Sequence, residues 1–136
     1  MPPAIERRLL ILVSAVLETG TGLALLTLPR VVVRVLLGEE LFGAGVATSR
    51  LCGVALVSLG LACWPESEPA VHRMDRRAVR ALLVYNASAT AYLGGLMALD
   101  GDRGILIVPA IVIHAVLAAL LVRMVVGFRR RRVENA

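Results

Sequence analysis

The sequence predicts an all-α integral membrane protein, a four-helix bundle that crosses the bilayer up, down, up and down. Three observations predict this fold. Of the 136 residues, 58% are hydrophobic and the mean hydropathy is +0.80, whereas soluble domains are about 45–50% apolar. Only 18% of the residues are charged. The apolar residues also occur in blocks of about 20, which is the length at which a helix crosses the hydrocarbon core.

Four such blocks follow one another in a chain that we treat as a single domain, residues 1–136. The predicted spans are residues 8–28, 44–64, 78–99 and 105–127. Proline ends the first span, and Trp64, a residue type common at membrane interfaces, ends the second. The first block is longer than the apolar core of a signal peptide and lacks a cleavage site, so we expect it to be retained.

The connection between spans one and two, PRVVVRVLLGEELFGAG, is apolar but too short to cross the bilayer. Arg30 and Arg34 are one helical turn apart in it. This pattern predicts a short interfacial or re-entrant helix. We expect Gly38, Gly43 and Gly45 to supply the bend that returns the chain to span two.

Flanking arginines predict the orientation. The 15 basic residues are all arginine, and together with the abundant Ala, Val, Leu and Gly they indicate a bacterial protein. Most flank one side of the bundle: Arg7, Arg8, Arg73, Arg76, Arg77, Arg80 and Arg129 to Arg132. The opposite connections hold only Arg30, Arg34 and Arg103. Positive charge predicts the cytoplasmic side, so we expect a multi-pass protein of the bacterial inner membrane with both termini cytoplasmic, and no nucleic-acid partner.

Small residues recur at intervals of four in two of the spans. Span two carries Gly45, Ser49 and Gly53. Span three carries Ala87, Ala91 and Gly95. This spacing lets helix backbones approach closely within the lipid bilayer. It predicts a compact bundle, and it offers a face for a homodimer or a larger membrane complex.

The residues that usually carry catalysis or bind metals are sparse. Cys52 and Cys63 are about 16 Å apart along one predicted helix, too far for a disulfide. No nucleophile–base pair, phosphate loop or metal-site spacing occurs, so we predict no catalytic and no metal residues. Haem is not expected, because neither His72 nor Met97 reaches the level of His114. A binding or transport protein is favoured over an enzyme.

Glu18 is the unusual residue of span one, because an ionised side chain near the bilayer centre costs roughly 2.5–3.5 kcal/mol. Helical rise places it about 15 Å from the cytoplasmic end of its span. Arg50 lies at about 21 Å, His114 and Tyr92 at about 19 Å, and Asn86 at about 10 Å. Glu18, Arg50, Asn86, Tyr92 and His114 are therefore the predicted ligand-binding residues, with Arg50 neutralising Glu18.

Two alternatives stay open at this stage. Arg50 is close enough to the outer end of span two for its side chain to extend to the interface. A buried Glu–Arg pair can also serve only to fix helix register. In either case the polar residues would be structural, whereas ionisable residues inside a membrane mark functional sites by default.

Three stretches resemble a group of small bacterial four-span proteins, the DoxX-like proteins. They are SRLCGVALVSLGLACW, YNASATAYLGGLMAL and VPAIVIHAVLAALLV, and the clearest feature is Arg50-x-x-Gly53 followed by Leu59-Gly60. The resemblance implies a four-span fold and an accessory role in quinone-dependent or thiol-related chemistry. It implies no catalytic residue.

The sequence thus favours an accessory or binding subunit that holds a small amphipathic ligand, quinone-like or lipid-like, at a polar site near the midplane. A quinone is the candidate cofactor. The alternative is a small oligomeric transporter or proton pathway in which Glu18 and His114 exchange a proton.

Overall fold

The computed structural model describes residues 4–65, 72–100 and 104–134, and these residues form five helices. The helices are α1 (Ala4–Thr27), α2 (Pro29–Leu37), α3 (Ala44–Ala62), α4 (His72–Asp100) and α5 (Ile107–Glu134). All except α2 are long and apolar enough to cross a membrane. The chain is therefore a multi-pass membrane protein, and the predicted four-helix bundle is confirmed.

The membrane-spanning segments match the predicted ones within a few residues. They are Ile5–Thr27, Ala44–Ala62, Arg76–Leu99 and Ile107–Gly127. The helices α4 and α5 extend beyond these segments at the end where the arginines cluster. Pro109 lies in the first turn of α5, where its missing N–H has no partner within a helix in any case.

The predicted short helix between the first two spans is α2. Proline stands at its start and Gly38 caps its end in the left-handed conformation, with φ of 77° and its N–H bonded to the Arg34 carbonyl. Gly43, with φ of 48°, precedes α3. These two glycines make the bend, as expected, because left-handed backbone favours glycine. Gly45, by contrast, lies within α3.

The bundle consists of two closely packed helix pairs, α1 with α3 and α4 with α5. Backbones approach closely within each pair, whereas contacts of α1 with α4 and α5 are made mainly by side chains. At the arginine-rich end, formed by the start of α1, the end of α3, the start of α4 and the end of α5, an apolar core joins the pairs. Its buried residues are Ile11, Cys63, Val79, Leu82, Leu121 and Met124.

At the other end of the bundle, α2 joins the two pairs. The Leu106 N–H donates a 2.9 Å hydrogen bond to the carbonyl of Val35. Gly104, just before α5, packs against the same carbonyl, where a side chain would clash. The helix between the first two spans is therefore attached to the start of the last one.

Glycines set the close approach of α1 and α3. A methyl group on Gly53 would lie 2.7 Å from the carbonyl oxygen of Gly22, and one on Gly60 would lie 2.7 Å from that of Ala15. Of the small residues predicted for span two, Gly53 therefore makes the contact, and its partner Gly22 comes from span one. Gly45 meets only the Leu41 side chain.

The small residues predicted for span three do not contact another helix. Ala87 and Ala91 are exposed, and a methyl group on Gly95 would meet nothing within 4 Å. Small residues at every fourth position give a helix a face of short side chains. The spacing does not show whether another helix covers that face. In α4 the covered face is the one bearing Leu82 and Asn86. The homodimer or larger complex stays a prediction.

Candidate functional site

The buried polar residues lie on the inner faces of the helices. Ser14 and Asn86 are fully buried, and Glu18 is 2% exposed. On α1, Ser14 and Glu18 share one face with the buried Ile11 and Ala15, because residues three and four apart lie on the same side of a helix. Ser14 and Glu18 are therefore enclosed by neighbouring helices, and Ala15 on the same face packs against Gly60 of α3.

Glu18 is held by a residue of α4. The Tyr85 hydroxyl donates a hydrogen bond to its carboxyl group. Glu18 Oε1 is buried and has no hydrogen-bond partner in the described part of the chain. A buried carboxyl oxygen without a partner is costly in an apolar environment.

His114 of α5 is joined to α4 by a hydrogen bond. Its Nδ1 lies 2.8 Å from Oδ1 of Asn86. Asn86 Nδ2 donates a 2.8 Å bond to the Leu82 carbonyl, which fixes the orientation of the amide. Because Oδ1 can only accept, Nδ1 of His114 carries the proton and Nε2 of the neutral ring is left as an acceptor.

Tyr85 connects the Glu18 and His114 sides of the site. Its ring is edge-on to the His114 imidazole, with centroids 5.6 Å apart and an interplanar angle of 77°. We use the name polar layer for Ser14, Glu18, Tyr85, Asn86 and His114. The layer is built from α1, α4 and α5, directly above the apolar core of the arginine-rich end.

Ser14 is the second residue of the layer with an unused polar atom. Its Oγ is buried, and among the described residues it has no hydrogen-bond partner. The hydroxyls of Thr27, Ser58 and Thr90 all bond the carbonyl four residues earlier in their helix. Ser14 does not use this common solution, so both of its hydrogen-bonding functions are available one turn from Glu18.

Two of the five predicted ligand residues lie outside the layer. Arg50 is exposed, and Tyr92 is 67% exposed. The Arg50–Glu18 ion pair is therefore not formed, and Arg50 faces outward as the snorkelling alternative expected. Glu18, Asn86 and His114 do converge. Thr21, which shares part of the Glu18 face in the sequence, is exposed as well.

The prediction missed Tyr85 as the partner of Glu18. A depth calculated from backbone rise places Tyr85 well below Glu18, yet the hydroxyl at the end of this long side chain reaches the carboxyl. The signal in the sequence was its position next to Asn86, on the same part of α4. Side-chain length has to be added to backbone depth before such pairs can be recognised.

Comparison of the chain with known families found no family model that matches it. No curated protein and no solved structure matches it either. The resemblance to DoxX-like proteins therefore stays a prediction, and the polar layer carries the functional argument by itself.

Proposed function

We propose that the protein is a membrane-embedded binding or accessory subunit that holds the head group of a small amphipathic molecule, quinone-like or lipid-like, at the polar layer. One observation carries the proposal: Glu18 Oε1 and Ser14 Oγ are buried between helices and have no hydrogen-bond partner among the residues that the structure describes. Binding sites for small molecules are mostly apolar with a few convergent polar groups. A head group that formed hydrogen bonds to these two atoms would remove the cost of burying them without partners.

The experiment is a thermal unfolding series on the purified protein with short-chain quinones and with phospholipids added one at a time. A ligand at a hundred times its Kd stabilises the folded state by about 2.7 kcal/mol, so we expect a clear rise in Tm for at least one class. The rise should be lost in Glu18→Gln. Arg50→Gln is the matched control, because Arg50 is exposed. No rise with any ligand would contradict the proposal.

A proton pathway is the second candidate function, favoured by three titratable side chains, Glu18, Tyr85 and His114, that lie close together inside the bundle. These residues belong to three different helices, as a relay across a bundle requires. Glu18→Gln should then abolish pH-dependent flux in liposomes, and unchanged flux would dismiss the pathway. Thermal stabilisation without flux would favour binding.

We also propose that the arginine-rich end faces the cytoplasm of a bacterial cell, with the protein in the inner membrane. Arg7, Arg8, Arg76 and Arg77 all lie at that end of the helices, and arginine is retained on the cytoplasmic side. Reporter fusions at residues 39 and 136 should report opposite sides of the membrane. Reporters on the same side would contradict this topology.

A further inference from the structure

No arginine of the described residues is buried beside Glu18. Glu18 is buried between α1, α4 and α5, and the arginines nearest the middle of the spans, Arg50, Arg80 and Arg123, are all exposed. Arg7 and Arg8 are about 15–17 Å away along α1. An ionised carboxylate in this position would therefore be uncompensated.

The other titratable groups described around Glu18 are a phenol, a thiol and an imidazole. Tyr85 of α4 donates its hydroxyl, and Cys63, at the end of α3, is a buried thiol. His114 of α5 uses Nδ1 to bond Asn86. A buried acid without a cation beside it stays neutral by keeping its proton.

We propose that the ligand of the polar layer is an amphiphile with a monovalent cationic head group, and that it binds in exchange for the Glu18 proton. This inference rests on the proposed function and names the charge of its ligand. On binding, the O–H bond of the Glu18 carboxyl breaks, the proton leaves to solvent, and the cation pairs with the carboxylate. The site is electrically neutral before and after the exchange, which is the arrangement that a low-dielectric environment permits.

The surroundings of Glu18 favour a cation over other head groups. An anionic head group would find no arginine in the layer, since Arg50 is exposed. The apolar tail would lie among side chains between the two helix pairs, where backbones do not approach closely.

The test compares three amphiphiles with the same decyl tail: trimethylammonium, maltoside and sulfate. The protein is placed in phosphatidylcholine nanodiscs, and binding heat is measured with empty nanodiscs subtracted. We expect the cation to bind at least about tenfold more tightly than the maltoside, and the sulfate not to bind. Equal affinity for cation and maltoside, or tighter binding of sulfate, would overturn the inference.

Proton exchange is tested by repeating the titration over a range of pH and in buffers of different ionisation enthalpy. Where Glu18 holds its proton, cation affinity should rise about tenfold per pH unit, and about one proton should be released per cation. Glu18→Gln should abolish both effects, Glu18→Asp should keep them, and Arg50→Gln should leave them unchanged. An affinity independent of pH in the wild-type protein would overturn the exchange.

The outcomes separate this inference from the proposed function. If quinones or zwitterionic lipids raise the Tm but the cation does not bind, the binding function stands and the charge assignment is wrong. If no amphiphile of any charge binds, both are wrong. If the cation binds with proton release and Glu18→Gln removes it, both are supported.

Discussion

Two sets of residues on one side of α1 differ in how they are packed. Gly22 and Ala15 meet Gly53 and Gly60 of α3 so closely that added methyl groups would clash. Ser14 and Glu18, three or four residues away along the same side, each keep a buried polar atom that has no hydrogen-bond partner among the described residues. Thr19 Oγ1, which lies beside Gly60, is a third such atom. The difference teaches that the backbone contact of α1 with α3 is the support, while the polar side chains next to it carry the site.

The largest effect is expected from disrupting the close contact between α1 and α3. Gly53→Leu would place its Cβ 2.7 Å from the Gly22 carbonyl oxygen and 3.0 Å from the backbone nitrogen of Leu26. Because these are backbone atoms, the helices must separate, and we expect a loss of about 3 kcal/mol. Thermal unfolding in detergent would show it. Gly95→Leu is the control, since open space surrounds that glycine; an equal loss there would contradict the packing assigned to α1 and α3.

The next effect concerns Asn86, the residue of the polar layer whose side-chain hydrogen bonds are formed. Asn86→Leu removes the 2.8 Å bonds to His114 and to the Leu82 carbonyl, leaving a partly buried imidazole without its acceptor. We expect a loss of about 1–2 kcal/mol in unfolding free energy. Ser88→Leu, at an exposed position two residues on, should cost much less. If both substitutions cost the same, the Asn86–His114 bond contributes nothing measurable.

A smaller effect of opposite sign is expected at Glu18. Glu18→Met fills a similar volume without the unpartnered Oε1, so stability should rise by about 1 kcal/mol. The same substitution should abolish ligand-induced stabilisation, as expected where a site is kept for function at the expense of stability. A fall in Tm would instead indicate that the bond from Tyr85 makes the carboxyl a structural element.

The smallest effects are expected at the two predicted ligand residues outside the layer. Arg50→Gln and Tyr92→Phe change exposed side chains, so each should alter stability by less than about 0.5 kcal/mol. Neither should change the thermal response to a ligand. Loss of that response in Arg50→Gln would show that the arginine turns inward when ligand is present.

The sequence predicted the helices better than it predicted their contacts. The lengths of the spans follow from hydropathy, and the ends of the short helix α2 follow from the glycines that bend the chain. Both are properties of a short stretch of sequence. The partners of a helix face are not local. Arg50 and Glu18 matched in depth, yet depth leaves the rotation of each helix undetermined, and Arg50 faces outward. The Tyr85–Glu18 bond depends on both rotation and side-chain reach.

The attachment of α2 to the start of α5 limits how the protein can move. The Leu106–Val35 hydrogen bond ties the two helix pairs at one end, and the core around Leu82 and Leu121 ties them at the other. A molecule held between the fastened ends cannot be admitted by a hinge at either one. The proposed ligand would then enter sideways from the lipid, between helices that separate in the middle of the bundle and close again behind it.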